Sequence, residues 1–185
     1  MALRLSGGRK LQSPPGDTAR PTPSRVRLAV MNLLAPELPG CRWLDLCCGS
    51  GVMACEAIQR GADAVVAVEQ DRRIAAIAKE NLEAVAQGTA SKSHFRVHCS
   101  DVKRWLSKGA GASADSARGG DWAFDLIYAD PPYAAGLYGA IATGVSRGGW
   151  LKPSGLMVWE CASAKPPNLP ADGNWPINGA TAALA

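Results

Sequence analysis

Apolar positions along the chain keep two alternating rhythms, short solid runs and stripes at helical spacing. Thr22 followed by Pro23 reads as an N-cap and first helical position. They open a helix through Val26, Leu28, Val30, Leu33 and Leu34 that Pro36 and Pro39-Gly40 end. Arg42–Leu46 is a predicted strand, followed by a glycine turn and a helix over Val52–Arg60. Ala64–Val68, all small or β-branched, reads as a buried strand. Asp71 is placed to cap a long helix to about Gln87, with Ile74, Ile77, Ala78 and Leu82 on one stripe. Phe95–Cys99 is the next strand and Val102–Lys108 a short helix. The Gly, Ala and Ser of Gly109–Gly120 mark a surface loop. Strand Phe124–Ala129, helix Leu137–Ser146 and strand Leu156–Glu160 follow, and the proline-rich remainder carries no firm pattern.

Strands alternating with helices predict an α/β fold, a Rossmann-like and mostly parallel doubly wound sheet. The 185 residues suit one such domain, read as a basic arm over 1–22 and a globular unit over 23–185. No apolar run approaches the roughly 20 residues that span a bilayer, so no membrane role is expected. The start of the chain lacks the apolar core of a secretory signal. It also lacks acids before Asp17, a composition that an organelle transit peptide shares; the reading taken is cytoplasmic.

Charge changes the picture at one end only. Arg4, Arg9, Lys10, Arg20, Arg25 and Arg27 face the single acid Asp17, whereas the rest of the chain is close to neutral. A basic arm on a neutral body suits a polyanion. The six cysteines contain no C-x-x-C pair, and adjacent Cys47 and Cys48 are expected to point to opposite faces of an extended strand end. Neither a zinc site nor a disulfide framework follows; they read as reduced core residues.

The first strand runs into WLDLCCGSGVMACEA, residues 43–57. Gly49 and Gly51 permit a sharp turn and close approach of a ligand, and with Ala54 complete G-x-G-x-x-A. Glu69, at the end of the second strand, suits the two hydroxyls of a ribose. This set alone fits a nicotinamide cofactor as well as S-adenosylmethionine. Two acids favour the methyl donor: Asp45 toward its cationic end, and Asp101 toward the adenine amine with Val102 over the ring. Asp101 equally suits the N-cap of the next helix.

YADPPY, residues 128–133, ends the strand Phe124–Ala129. Two prolines forbid both pairing and helix there and fix an extended turn. A nucleobase amine is a weak nucleophile because its lone pair is delocalised into the ring. Acceptors from Asp130 and the carbonyl of Pro131 would bind its N–H groups and localise that pair, and Tyr133 would stack on the base.

Together GRKLQSPPGDTARPTPSRVR, LDLCCGSG, VEQD and YADPPY resemble the bacterial small-subunit (16S) ribosomal RNA guanine-N2 methyltransferases, over about residues 4 to 160. The resemblance implies a class I S-adenosylmethionine-dependent methyltransferase fold. It implies cofactor contacts from Gly49, Gly51, Glu69 and Asp101, a guanine held by Asp130, Pro131 and Tyr133, and an arm that touches RNA. The partner implied is ribosomal RNA, free or in an assembling small subunit, with no obligate protein partner. Members often carry Phe-Ala where Cys47-Cys48 stands, and an acid where Leu28 stands. DNA adenine-N6 methylation shares DPPY but usually needs a recognition domain for which this chain has no room. Protein glutamine methylation goes with Asn at the place of Asp130. A silent RNA-docking module would bind without transfer, and a nicotinamide enzyme would leave DPPY unexplained.

Overall fold

A computed structural model describes residues 3–14, 22–89, 93–112, 122–132 and 135–161. Among the described residues eleven elements follow one another: α1 Ser24–Leu33, β1 Arg42–Leu46, α2 Val52–Gln59, β2 Ala64–Glu69, α3 Arg72–Gln87, β3 His94–Cys99, α4 Val102–Leu106, a 3-10 turn Ala110–Ala112, β4 Phe124–Ala129, α5 Tyr138–Gly148 and β5 Leu151–Trp159. The five strands pair in the order β3-β2-β1-β4-β5, every pair parallel. The chain begins in the middle, winds outward through β2 and β3, then crosses to β4 and β5. The order therefore reverses between β1 and β4, where open α/β sheets bind ligands at their carboxyl edge.

The sheet is buried on both faces. Trp43, Val65, Ala67, Leu126 and Tyr128 face α1, α2 and α3, while Leu44, Leu46, Val66, Val68, Ile127 and Ala129 face α4 and α5. That two-sided burial makes the central strands solidly apolar rather than alternating. The Asp71 cap forms as predicted, with Oδ1 accepting from Arg73 N at 2.8 Å and Ile74 N at 3.1 Å. Strand β5 is longer than predicted. Its ladder shifts between Phe124↔Leu151 and Leu126↔Leu156, so Pro153 to Gly155 form an irregular stretch inside one strand. Regular pairing resumes at Leu156, where the sequence pattern placed its start.

Residues 3–12 are docked rather than trailing. Leu5 and Arg9 close a small hairpin through Leu5 N to Arg9 O at 2.9 Å, and an Arg4↔Lys10 bridge continues it. Leu3, Leu5 and Leu11 are buried in the same core as α2 and α3. Each such side chain contributes roughly 1.5–3 kcal/mol of burial, which offsets the entropy of ordering the segment. Asn81, buried on α3, clamps the hairpin end. Its Oδ1 accepts from Gln12 N at 2.8 Å, and its Nδ2 donates to Gln12 O and Ser50 O, each at 3.0 Å. One α3 amide thus ties the arm to the glycine turn.

Helix α1 begins one residue later than expected, with Pro23 in the cap position and no side-chain cap. Thr22 instead turns its hydroxyl toward Asp130. All six cysteines are free thiols. Cys47 is not extended, however: its φ of 62° is left-handed, so Cys47 and Cys48 do not alternate as strand residues do.

Candidate active site

The carboxyl edge of the sheet gathers the predicted cofactor acids. Glu69 ends β2 and accepts two backbone amides, Oε2 from Gly49 at 3.0 Å and Oε1 from Asp71 at 2.9 Å. It holds the glycine turn and the entry to α3 in one grip. Asp45, inside β1, is fully buried and accepts from Ala54 N in the first turn of α2 at 3.0 Å. Burial pushes its carboxyl well above the ordinary range, with the Ala54 amide opposing. Asp101 caps α4, accepting from Arg104 N at 3.0 Å, and Val102 is buried beneath it in the α4–α5 core. Cys47 records how closely these acids converge. Burial first, then Glu69, Asp45, Asp130 and Asp101 in turn, push its thiol up to about 12. Four acids around one turn form a cradle suited to a cationic ligand.

The two glycines of the turn do different work. A Cβ on Gly49 would meet nothing within 4 Å, so that position faces open space over the cradle. A Cβ on Gly51 would come within 3.1 Å of Leu82 Cδ1 and 3.2 Å of Ala78 Cβ. Gly51 is needed to seat α2 on α3, a packing role that the motif alone did not reveal. Both have positive φ, 54° and 74°, which glycine adopts without strain.

Asp130 leaves β4 beside β1, and its amide still bonds Leu46 O at 3.3 Å. Pro131 is buried and Pro132 exposed. Burial, and next the charge of Glu160, raise the Asp130 carboxyl to about 7, while a hydrogen bond from Thr22 opposes them. Tyr133 lies outside the described residues.

Glu160 belongs to the site although no motif marked it. It follows β5 at the level where Asp130 follows β4, its amide bonding Ala129 O at 3.0 Å. Tyr128, the first residue of YADPPY, is buried and donates its hydroxyl to Glu160 Oε2 at 2.5 Å. Tyr138 donates to the Glu160 carbonyl at 2.9 Å. The available signal was position: both acids stand where a strand run stops.

The basic residues separate. Arg25 is exposed on α1, and Arg4, Arg9 and Lys10 are exposed on the hairpin. Arg4 and Arg9 bond the carbonyls of Gly8 and Ala84. Arg20 lies outside the described residues. Arg27 corrects the expectation of an RNA contact, because it is 5% exposed and turned inward. Its Nη groups donate to Thr22 O at 2.9 Å and Arg4 O at 2.5 Å, and its Nε lies 3.7 Å from Glu56 Oε1. Ser6 donates to the same carboxylate from its amide at 2.8 Å and its hydroxyl at 2.5 Å. Arg27 therefore joins the hairpin, the entry to α1 and α2 in one buried network.

An open glycine turn gripped by a strand-end acid, in a parallel sheet that reverses at β1/β4, is common to nucleotide-binding α/β folds, and the solved structures that this chain superposes on place it among the class I S-adenosylmethionine-dependent methyltransferases. The solved structure of yhhF from Escherichia coli superposes with a TM-score of 0.74 at 30% identity, covering 92% of this chain and 87% of that one. A methyltransferase from Podospora anserina, solved with SAH bound, shares the fold alone at TM-score 0.56 and 16% identity, over 75% of this chain and 53% of that one. The chain belongs to the family described as conserved hypothetical protein 95, whose pattern matches residues 5–175. Ribosomal RNA small subunit methyltransferase D of Escherichia coli is 30% identical over 182 residues, 95% of this chain and 82% of that protein. The chain is a methyltransferase that uses S-adenosylmethionine.

Proposed function

We propose that this enzyme methylates the exocyclic N2 amine of a guanine in small-subunit ribosomal RNA. The observation that carries the reading is the position of Asp130: an acceptor-bearing strand end, fixed by Pro131 and Pro132, beside the reversal of the sheet. The likeness to ribosomal RNA small subunit methyltransferase D supports the substrate class.

S-adenosylmethionine supplies an electrophilic methyl group on a sulfonium. The chain's own residues do the rest. Gly49 leaves the cradle open; Glu69 would take the ribose hydroxyls, Asp101 the adenine amine, and Asp45 would face the cationic end of the bound cofactor. Asp130 and the Pro131 carbonyl accept the two N–H groups of the target amine, which turns its lone pair out of the ring plane. Tyr133 stacks on the base. The methylated amine, strongly acidic while it carries the extra proton, sheds it to water after the transfer. The exposed hairpin cations and Arg25 meet phosphate, on free RNA or on an assembling subunit.

The test is transfer of labelled methyl from S-adenosylmethionine to undermethylated small ribosomal subunits, with mapping of the modified base. Label at guanine N2 is expected. Label at an adenine, or only in DNA, overturns the reading.

A further inference from the structure

Asp130 and Glu160 form a pair of adjacent carboxylates. Strands β4 and β5 are parallel and in register at Ala129↔Trp159, so the two acids emerge side by side at the next position. The Glu160 backbone is fixed at both ends, by Ala129 O at 3.0 Å and by the Tyr138 hydroxyl at 2.9 Å. Its side chain is fixed through Oε2 by the buried Tyr128 hydroxyl. Glu160 also lines a groove with Val26, Val30, Tyr128 and Trp159, between α1 and the end of β5. A half-buried carboxylate held this firmly is positioned to receive something specific.

The chemistry of the purine edges decides what. Guanine presents two neighbouring donors, N1–H and the N2 amine. Adenine presents an acceptor, N1, next to its N6 amine. Two adjacent carboxylates offer acceptors only. They match the guanine edge and repel the N1 lone pair of adenine. A carboxylate on N1–H also pushes electron density through N1–C2–N2 toward the amine that must attack.

We propose that Glu160 accepts the N1–H of the target guanine while Asp130 accepts from its N2 amine, making Glu160 the residue that selects guanine. This rests on the guanine reading above. Tyr128 and Tyr138 act as positioning residues that aim Glu160.

The test compares guanine with 2-aminopurine at the modified position of small-subunit RNA. 2-Aminopurine keeps the N2 amine but has an unprotonated N1. The wild-type enzyme is expected to prefer guanine in kcat/KM by about 100-fold or more, because a site built for a donor rejects a base lacking it. In Glu160→Gln, Oε1 still receives the Tyr128 hydroxyl and the amide N–H turns toward the base. The guanine preference should fall by at least about tenfold, the worth of one charge-assisted hydrogen bond. If Glu160 only props the end of β4, both rates fall together and the ratio holds. An unchanged ratio, or a wild-type ratio near one, overturns the inference and leaves the guanine reading intact. Label placed by the wild type anywhere other than guanine N2 overturns both.

Discussion

Glu69 closes the glycine turn from the neighbouring strand: its Oε2 accepts the Gly49 amide at 3.0 Å, across the gap between β2 and the end of β1. The same carboxylate is the proposed ribose acceptor, so it shapes the pocket and lines it. Glu69→Ala should weaken S-adenosylmethionine binding by about 1–3 kcal/mol, the cost of charge-assisted hydrogen bonds. Glu69→Gln retains one acceptor oxygen for two amides and should fall between. Calorimetric titration decides, and unchanged affinity would remove Glu69 from the pocket.

In the proposed mechanism Asp130 acts as a hydrogen-bond acceptor rather than as an obligatory base. Asp130→Ala should lower turnover by about 10²-fold or more with cofactor binding retained, because the lost group acts on developing charge. Asp130→Asn should do less harm, since an amide oxygen still accepts. Single-turnover rates on RNA rank the three proteins. Equal loss in Asn and Ala would sink the acceptor mechanism.

The same residue sets a pH dependence. Its carboxyl is raised from the ordinary 3.8 to about 7, first by burial and then by Glu160. The folded protein therefore holds a proton here that the unfolded chain releases. The stability this contributes is full below about 3.8 and is lost as pH climbs through about 7. Activity runs the other way, because only the ionised form accepts from the target amine without presenting a proton of its own. We expect kcat/KM to rise with pH through about 7. Thr22→Val removes the opposing hydrogen bond and should move that limb upward, with Thr22→Ser restoring it. A profile flat between pH 6 and 8 (roughly one unit either side of the expected midpoint) would exclude Asp130 as the titrating group.

How much of this was legible in sequence follows from the range of each interaction. The buried strands, the Asp71 cap and the strand-end acids Glu69 and Asp130 are local patterns, and they stand where the periodicity put them. Pro153 and Gly155 have the composition of a turn, yet the strand passes through them by shifting register against β4. Thr22 has the local chemistry of an N-cap, but a tertiary partner takes its hydroxyl. Glu160 carries no motif; its meaning comes only from standing beside Asp130. Gly51 was readable as a glycine turn, but its reason, the Ala78 and Leu82 wall, lies on another helix.

Arg25 and Arg27 give the sharpest test of the arm, because they differ by two positions and face opposite environments. Two helical positions separate side chains by about 200°. Arg25 accordingly faces solvent, while Arg27 is buried with its guanidinium beside Glu56. Phosphate contact needs an accessible cation, so only Arg25 is available to RNA among the two. Arg25→Ala should leave folding stability within about 0.5 kcal/mol of wild type, as exposed substitutions do. It should raise the KM for RNA and flatten the salt dependence by about 0.7–0.9 charge units, one phosphate contact. Adding Arg20→Ala should roughly double that change. Arg27→Ala should behave in reverse. It leaves the Glu56 carboxylate buried with only Ser6 as donor and frees the Arg4 and Thr22 carbonyls, a loss of about 3–5 kcal/mol. Urea denaturation and initial rates against RNA at several salt concentrations separate the two effects. If Arg25→Ala leaves the salt slope unchanged, this face of α1 is solvated surface and the RNA path lies elsewhere.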